Sequence, residues 1–227
     1  SFHVDRSNFI DNRAPKGSGG SILYEKSDGL LTYTNFIGTA RTDKQGLKCE
    51  SSRQNAKWGT SETTNSKKQG DSSTNMNNVE DQCNSRNMHA MQGGGISVRT
   101  AQSTLIMRHV LLKGLLASFG GGLYSAKSAT TKMNNATFLL NEAKFGGGMQ
   151  GVQSSSMDIV SSKMLQNYAS VDGGGVHFEK SVVALTDTII DSNLASTNGG
   201  GLYLNKRSTL HSQRNSVGKN VALDNGG

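Results

Sequence analysis

The sequence predicts an all-β fold: a single-stranded parallel β-helix (solenoid) of about seven turns, with 26–27 residues per turn and one long polar insertion. The first observation is a set of glycine triplets that begin at Gly93, Gly120, Gly146, Gly173 and Gly199. A fixed period of this length is typical of repeat proteins. Second, apolar residues alternate with variable residues after each triplet, which is strand periodicity. Third, a position that is usually Asn is followed two residues later by Ala in each repeat.

The composition favours a thin stacked core. The chain has 227 residues with 28 Gly and 1 Pro, and only 33% of its residues are hydrophobic. Repeats that pack only on their neighbours need fewer apolar residues than a globular domain does. The net charge of +7 comes from scattered Lys and Arg, with one small group at Lys206, Arg207, Arg214 and Lys219. We therefore expect no nucleic-acid partner. No apolar run of about 18 residues predicts a transmembrane segment, and no signal-peptide pattern is present.

The elements follow in order from the start of the chain. A first turn comprises residues 9–14 and 19–24, and a second runs from Ser27 through Leu31 to Phe36. Residues 41–82 are then almost entirely polar, which predicts an inserted loop within one solenoid segment that covers 1–227. Insertions in repeat proteins often form a binding face. A solvent loop without a binding role is the alternative.

The only two cysteines, Cys49 and Cys83, lie near the two ends of this insertion. A disulfide between them would close its base and, by the chain-entropy model, stabilise the fold by about 3–4 kcal/mol. Such a bond would indicate an oxidising compartment. Two free thiols are the alternative.

From residue 88 onward the repeats run without interruption and align in columns. One column expected to face the core contains Ile22, Ile96, Leu123, Met149, Val176 and Leu202, and another contains Phe9, Phe36, Leu112, Phe138, Met164, Ile190 and Val217. Spacing of two within each segment excludes a helical repeat, as does the cost of about 1 kcal/mol for each helical Gly. A propeller blade needs four strands in about 40–45 residues, and each repeat here has room for two or three short strands.

A polar column predicts a structural ladder of Asn12, Asn141, Asn167, Asn193 and Asn220, with Leu115 in place of Asn in one repeat. In a parallel coil, identical positions stack at about 4.8 Å, the spacing of paired strands. Stacked amides then donate to one neighbour and accept from the next.

These patterns also carry a family resemblance. Residues 93–96 (Gly-Gly-Gly-Ile) and 138–141 (Phe-Leu-Leu-Asn) resemble the paired GGA-I and FxxN repeats of the chlamydial polymorphic outer membrane proteins. Further matches are residues 9–12 with 19–22, and the looser matches 164–167 and 190–193. With these matches the resemblance covers nearly the whole chain outside the insertion. The third triplet position is usually Gly instead of Ala. The resemblance implies a right-handed β-helix exposed on a cell surface, as in similar surface proteins of protists, and it carries no catalytic residues.

The columns give no catalytic or metal site. Asp158, Asp172, Asp187 and Asp191 fall in four different columns, so no paired carboxylates of the glycosidase type are expected. The histidines, His3, His89, His109, His177 and His211, are expected to share no column, and no Cys/His metal spacing occurs. The glycine triplets lack the Gly-Lys-Ser/Thr ending of a phosphate loop. We therefore expect no catalytic residues, no metal and no cofactor.

Two features are candidates for surface contacts. The residues between the two inward positions after each triplet are Leu23, Ser97, Tyr124, Gln150, His177 and Tyr203, and of these Tyr124, His177 and Tyr203 form a candidate contact stripe for carbohydrate or a protein partner. An ordinary stack of side chains is the alternative. Asn135 begins the only N-glycosylation sequon, Asn135-Ala136-Thr137.

The sequence thus predicts a non-catalytic, extracellular β-helix, a subunit of a cell-surface filament, appendage or coat. The sequence stops two residues into a repeat, so we expect a segment of a longer solenoid whose partners are other subunits. The alternatives are an adhesin that binds host, matrix or glycan through residues 41–82, and a polysaccharide lyase or hydrolase of the pectin-lyase-like class.

Overall fold

The computed structural model of this chain describes residues 1–12, 19–24, 28–38, 90–101 and 103–227. The described strands belong to one compact unit, Ser1–Ala40 with Met88–Gly227. The predicted insertion at 41–82, the cysteines Cys49 and Cys83, and His89 lie outside the described residues.

Within the described ranges all regular secondary structure consists of β-strands, and these strands form four parallel sheets. Sheet A contains β1 (Phe2–Asp5), β4 (Gly29–Thr32), β8 (Thr104–Arg108), β12 (Thr130–Asn134), β16 (Ser156–Val160), β20 (Val182–Thr186) and β24 (Thr209–Gln213). Sheet B contains β2 (Asn8–Ile10), β5 (Asn35–Ile37), β9 (Leu111–Lys113), β13 (Thr137–Leu139), β17 (Lys163–Leu165), β21 (Ile189–Asp191) and β25 (Ser216–Gly218).

The two remaining sheets are one strand shorter. Sheet C contains β6 (Ala90–Gln92), β10 (Ala117–Phe119), β14 (Glu142–Phe145), β18 (Tyr168–Asp172), β22 (Leu194–Ala195) and β26 (Val221–Ala222). Sheet D contains β3 (Ile22–Tyr24), β7 (Ile96–Val98), β11 (Leu123–Ser125), β15 (Met149–Val152), β19 (Val176–Glu179) and β23 (Leu202–Asn205). From β4 onward the chain visits the sheets in the order A, B, C, D in each turn, and the coil makes about six turns. The predicted all-β parallel solenoid is confirmed, and its predicted length of about seven turns is close.

The number of strands per turn differs from the sequence-based expectation of two or three. Each complete turn has four strands. The additional strand belongs to sheet C, and the Ala that follows the Asn position lies in this strand and not in a corner. Ala117 and Ala143 are examples, and both are buried. The regular structure also begins earlier than expected, because Phe2–Asp5 pairs residue by residue with Gly29–Thr32.

The core follows the period-two pattern. In β8, Leu105 and Met107 are completely buried, whereas Thr104 and Ile106 are half-buried and Arg108 is exposed. Pairing keeps each column in register: Leu105 pairs with Thr131, which pairs with Met157. Fully burying each apolar side chain of this size stabilises the fold by about 1.5–3 kcal/mol, so the stabilisation is distributed along the coil.

The corner between sheets C and D requires glycine for two reasons. The first residue of the triplet has a positive φ, as at Gly173 (φ 71°), which other residues rarely adopt. The third residue lies against the next turn, since a Cβ at Gly148 would stand 2.6 Å from the carbonyl oxygen of Gly175. This tight corner folds the end of each sheet C strand over the start of the following sheet D strand.

Candidate functional site

The Asn column forms a continuous chain of side-chain hydrogen bonds. The Nδ2 of Asn141 donates to Oδ1 of Asn167 (3.1 Å), Asn167 donates to Asn193 (3.0 Å), and Asn193 donates to Asn220 (2.9 Å). Asn141, Asn167 and Asn193 are at most 1% exposed. Each amide therefore replaces water for its neighbours along the coil, and its loss would leave buried groups unpaired.

The same amides also hold the backbone corners. Asn167 Oδ1 accepts from the backbone N–H of Asn141 (3.0 Å), and Asn167 Nδ2 donates to the carbonyl oxygen of Phe138 (3.0 Å). At Leu115 the ladder ends, but the Leu115 N–H still donates to Asn141 Oδ1 at 3.0 Å. Asn12, which the sequence placed in the same ladder, is exposed.

The candidate contact stripe lies in one column of sheet D, as the strand pairs Tyr124 with Gln150, Gln150 with His177, and His177 with Tyr203 show. The expectation that this stripe is an open surface is wrong for two of its three members. Tyr124 is 7% exposed and His177 is 4% exposed, whereas Tyr203 is half-buried. The stripe is therefore mostly covered.

The covering side chains come from the residues that precede the glycine triplets. Phe119 packs against the small cluster that contains Tyr124 and Val152. The ring of Phe145 stacks on Phe119 at 5.8 Å between centroids and lies 5.6 Å from His177. His177 in turn stacks on Tyr203 at 5.3 Å. The glycine corner thus produces a second, smaller packed layer of aromatic rings outside the main core.

His177 is held in its neutral form within this layer. Gln150 Nε2 lies 2.7 Å from His177 Nδ1, and because an amide NH₂ can only donate, Nδ1 accepts. Burial lowers the pKa of His177 below its ordinary value, while Asp172 and Glu179 act in the opposite direction. Burial likewise raises the pKa of Tyr124, with Arg99 acting against it. These shifts reflect packing that disfavours charge.

Two buried polar atoms of the same face, Ser97 Oγ and Gln150 Oε1, have no hydrogen-bond partner in the described part of the chain. Charged groups lie around the layer: Lys206 Nζ lies 2.8 Å from Glu179 Oε1, Asn198 Nδ2 donates to Asp172 Oδ1 at 2.9 Å, and Lys144 Nζ lies 5.5 Å from the centroid of the Phe145 ring. The layer therefore presents hydrogen-bonding and aromatic groups, with charged groups around it.

A second outer column runs along the corner between sheets A and B, where each residue has a positive φ. Tyr33 stacks on His109 with ring centroids 4.6 Å apart, and Asn135 Nδ2 donates to His109 Nδ1 at 2.8 Å. Further along, Arg214 holds Asp187 through two bonds of 2.7 Å, and this contact lowers the pKa of Asp187. The sequon residue Asn135 is exposed at this corner.

The candidate catalytic groups are distributed over different elements. Asp158 lies in sheet A, Asp172 ends a sheet C strand, Asp187 lies at the A–B corner and Asp191 ends a sheet B strand. The expectation that no histidines share a column is wrong for His3 and His211. Both occupy the outward column of sheet A, at its two ends, because the register continues from β1 to β24. The described ranges contain no group of three or more His, Cys, Asp or Glu placed to hold a metal.

Sequence reasoning missed the covering residues Phe119 and Phe145 and the paired corner residues Asp187 and Arg214. A signal for both was present. Phe119 and Phe145 are 26 residues apart and each directly precedes a triplet, while Asp187 and Arg214 are 27 apart. Opposite charges one repeat apart face each other in any solenoid.

No protein-family model, no curated protein and no solved structure matches the chain. The class of protein is therefore defined by the fold alone, as a parallel β-solenoid. Among the described residues, no helix is long and apolar enough to span a membrane.

Proposed function

We propose that this chain is a non-catalytic structural element of a cell surface, a subunit of an extracellular filament, appendage or coat. The observation that carries the proposal is the regular stacking of the coil, in which sheets A and B each contain seven strands while the Asn ladder links successive turns. Such a coil is stabilised rung by rung and holds its lateral faces at fixed spacing. A rigid element of this kind suits assembly with other subunits.

Two further observations support placement outside the cell. The repeats resemble those of surface-exposed proteins, and the sequon residue Asn135 is exposed at the A–B corner. Carbohydrate contact is supported only at the Tyr203 end of the aromatic layer, because Tyr124 and His177 are buried.

Antibodies raised against the purified chain would test this role. On intact cells of the source organism, immunogold electron microscopy should place the label outside, on an ordered surface structure. Label that appears only after the cells are permeabilised would contradict the proposal. An activity that degrades acidic polysaccharide and copurifies with the protein through successive columns would contradict the proposal that the chain is non-catalytic.

Deletion of residues 41–82 separates this role from that of an adhesin. Because the ladder and core lie outside this segment, the shortened chain should still assemble on the surface. Intact assembly together with lost binding to host, matrix or glycan would favour the adhesin instead.

A further inference from the structure

Sheet B presents an outer face that combines apolar and charged columns. We define the B face as the outward residues of β5, β9, β13, β17, β21 and β25. Its first column is Asn35, Leu111, Thr137, Lys163, Ile189 and Ser216, and its second is Ile37, Lys113, Leu139, Leu165, Asp191 and Gly218. Members of a column lie about 4.8 Å apart because they occupy paired parallel strands.

The centre of the B face is aliphatic. Leu139 and Leu165 are adjacent in the second column and only half-buried, and Ile189 is 37% exposed. Leu140, at the corner beside them, is 39% exposed. Parallel sheets are normally covered on both faces, and a contiguous exposed apolar patch marks an interaction surface.

The charges of the second column of the B face are arranged symmetrically about this centre, and the first column adds one exposed lysine, Lys163. Lys113 lies one rung before Leu139, and Asp191 lies one rung after Leu165. Lys113 is exposed, and it forms no ion pair with the part of the chain that the structure describes. A basic residue and an acidic residue therefore stand at equal distances on opposite sides of a leucine pair.

We propose that the B face binds a second copy of this chain, face to face, with the two coils antiparallel. The two-fold axis runs parallel to the strands and passes between β13 and β17. This operation places Lys113 opposite Asp191 of the second copy, and Leu139 opposite its Leu165. In the first column it places Leu111 opposite Ile189 and Thr137 opposite Lys163. Lys113 and Asp191 meet opposite charges, and Lys163 meets a hydroxyl group. The aliphatic residues Leu111, Leu139, Leu165 and Ile189 meet one another, whereas Ile37 meets Gly218.

Other registers place charges against aliphatic side chains. If the axis passed through β13, Lys113 would face Leu165, and Ile37 would face Asp191. If the coils were parallel, Lys113 would face Leu111 of the second copy, and Asp191 would face Ile189. Burying a charge against an aliphatic side chain is unfavourable, so the register that pairs Lys113 with Asp191 is favoured over these two.

The A–B corner beside the B face is complementary in the same register. This register places His109 opposite Asp187 of the second copy, and Tyr33 opposite Arg214 of the second copy. Within one chain, the Tyr33–His109 stack and the Asp187–Arg214 pair are preformed units. An arginine over a tyrosine ring and an acid beside an imidazole both add to the attraction at this edge.

The dimensions of the face predict a reversible dimer. Six rungs at about 4.8 Å extend over about 29 Å, and three-residue strands are about 10 Å wide. With its corners, such a face falls below the roughly 800 Å² per partner of a standard interface. This pairing specifies how subunits of the scaffold proposed above would contact each other, and its biological setting rests on that proposed role. It can be measured on the purified chain alone, so a monomer in solution would overturn the pairing without affecting the result of surface labelling.

Sedimentation equilibrium of the purified 227-residue chain tests the pairing directly. Between about 1 μM and 1 mM the wild type should pass from monomer to dimer. Lys113→Asp and Asp191→Lys should each weaken the dimer by about tenfold or more, because each places two like charges opposite each other twice in every dimer. The double variant, Lys113→Asp with Asp191→Lys, should restore wild-type dimerisation.

Mixing provides a test that is independent of folding defects. Equal amounts of the Lys113→Asp and Asp191→Lys single variants should form a heterodimer, since opposite charges meet again in the mixed pair. Lys127→Asp, at an exposed corner away from the B face, is the matched control and should dimerise like the wild type. A wild type that remains monomeric over the whole range, or single variants that neither weaken the dimer nor recover on mixing, would overturn the proposal.

Discussion

At the scale of single residues, the Asn amide is the most informative side chain of this fold. A buried amide normally costs free energy, but here the Oδ1 atoms of Asn167, Asn193 and Asn220 each accept two bonds from the preceding turn, as Asn167 does from the N–H and the Nδ2 of Asn141. The sequence predicted this ladder from a column of identical residues. It could not reveal that the same amides also hold backbone carbonyls, such as that of Phe138, because no pattern in the sequence marks a carbonyl.

Asn167→Leu should lower the free energy of unfolding by about 1–3 kcal/mol, because Asn141 loses its acceptor in a buried setting. Urea denaturation of wild type and variant measures the difference. Asn12→Leu, at an exposed position, is the control and should change little. Equal stability of Asn167→Leu and wild type would mean that the ladder contributes nothing.

Gly173→Ala should destabilise the fold by about 1–3 kcal/mol, because φ at this position is positive and an added Cβ would stand 2.8 Å from the Cβ of His177. Gly218→Ala is the matched control, since its Cβ would meet only Asp191 Oδ1, at 3.4 Å. Thermal denaturation of both variants would compare them. The explanation of the glycine corner fails if the two substitutions have the same effect.

His177 should make stability depend on pH below neutrality. Its pKa is lowered by burial from an ordinary value of 6.5. On acidification the unfolded chain therefore binds the proton before the folded chain does. The contribution of neutral His177 to the free energy of unfolding is therefore fully present above about pH 6.5 and decreases as the pH falls below this value. The free energy of unfolding, measured by urea denaturation between about pH 5 and 8, should change less with pH for His177→Gln than for the wild type. His211→Gln, at an exposed site, is the control, and the same change with pH for His177→Gln and wild type would contradict this assignment.

At the scale of strands and sheets, the sequence predicted what lies inside the coil better than what lies outside it. Period-two alternation identified inward residues such as Leu105 and Met107, because the core of a solenoid is made by the same column in every turn. Alternation cannot show which neighbouring element covers an outward residue. Tyr124 and His177 were therefore predicted at the surface, whereas the corner that follows each sheet C strand brings Phe119 and Phe145 over their column.

Phe145→Ala tests this contact between sheets C and D. Removing the ring should destabilise the fold by about 1–3 kcal/mol, and it should raise the pKa of His177 towards its ordinary value because solvent reaches the imidazole. Urea denaturation and an NMR titration of His177 measure the two effects. Lys219→Ala, at an exposed position after sheet B, is the control. An unchanged pKa of His177 in Phe145→Ala would mean that this ring does not exclude water.

At the scale of the whole molecule, the four sheets make a coil that grows by about 4.8 Å per turn and stacks its outer residues in columns along its length. The outer columns therefore form ordered rows of side chains, and those of the B face are complementary to themselves in the antiparallel register. The length and period of the coil could be predicted from the sequence, since the glycine triplets set them. The complementarity of the B face could not, because it depends on the register that the strands adopt in three dimensions.

The most direct test of the surface-scaffold proposal is to observe the intact protein in its native setting by cryo-electron tomography, with antibody label. We expect label outside the cell, on an ordered array in which neighbouring coils run antiparallel and are in contact through sheet B. Labelled protein dispersed inside the cell, or on its surface only as isolated monomers, would contradict it.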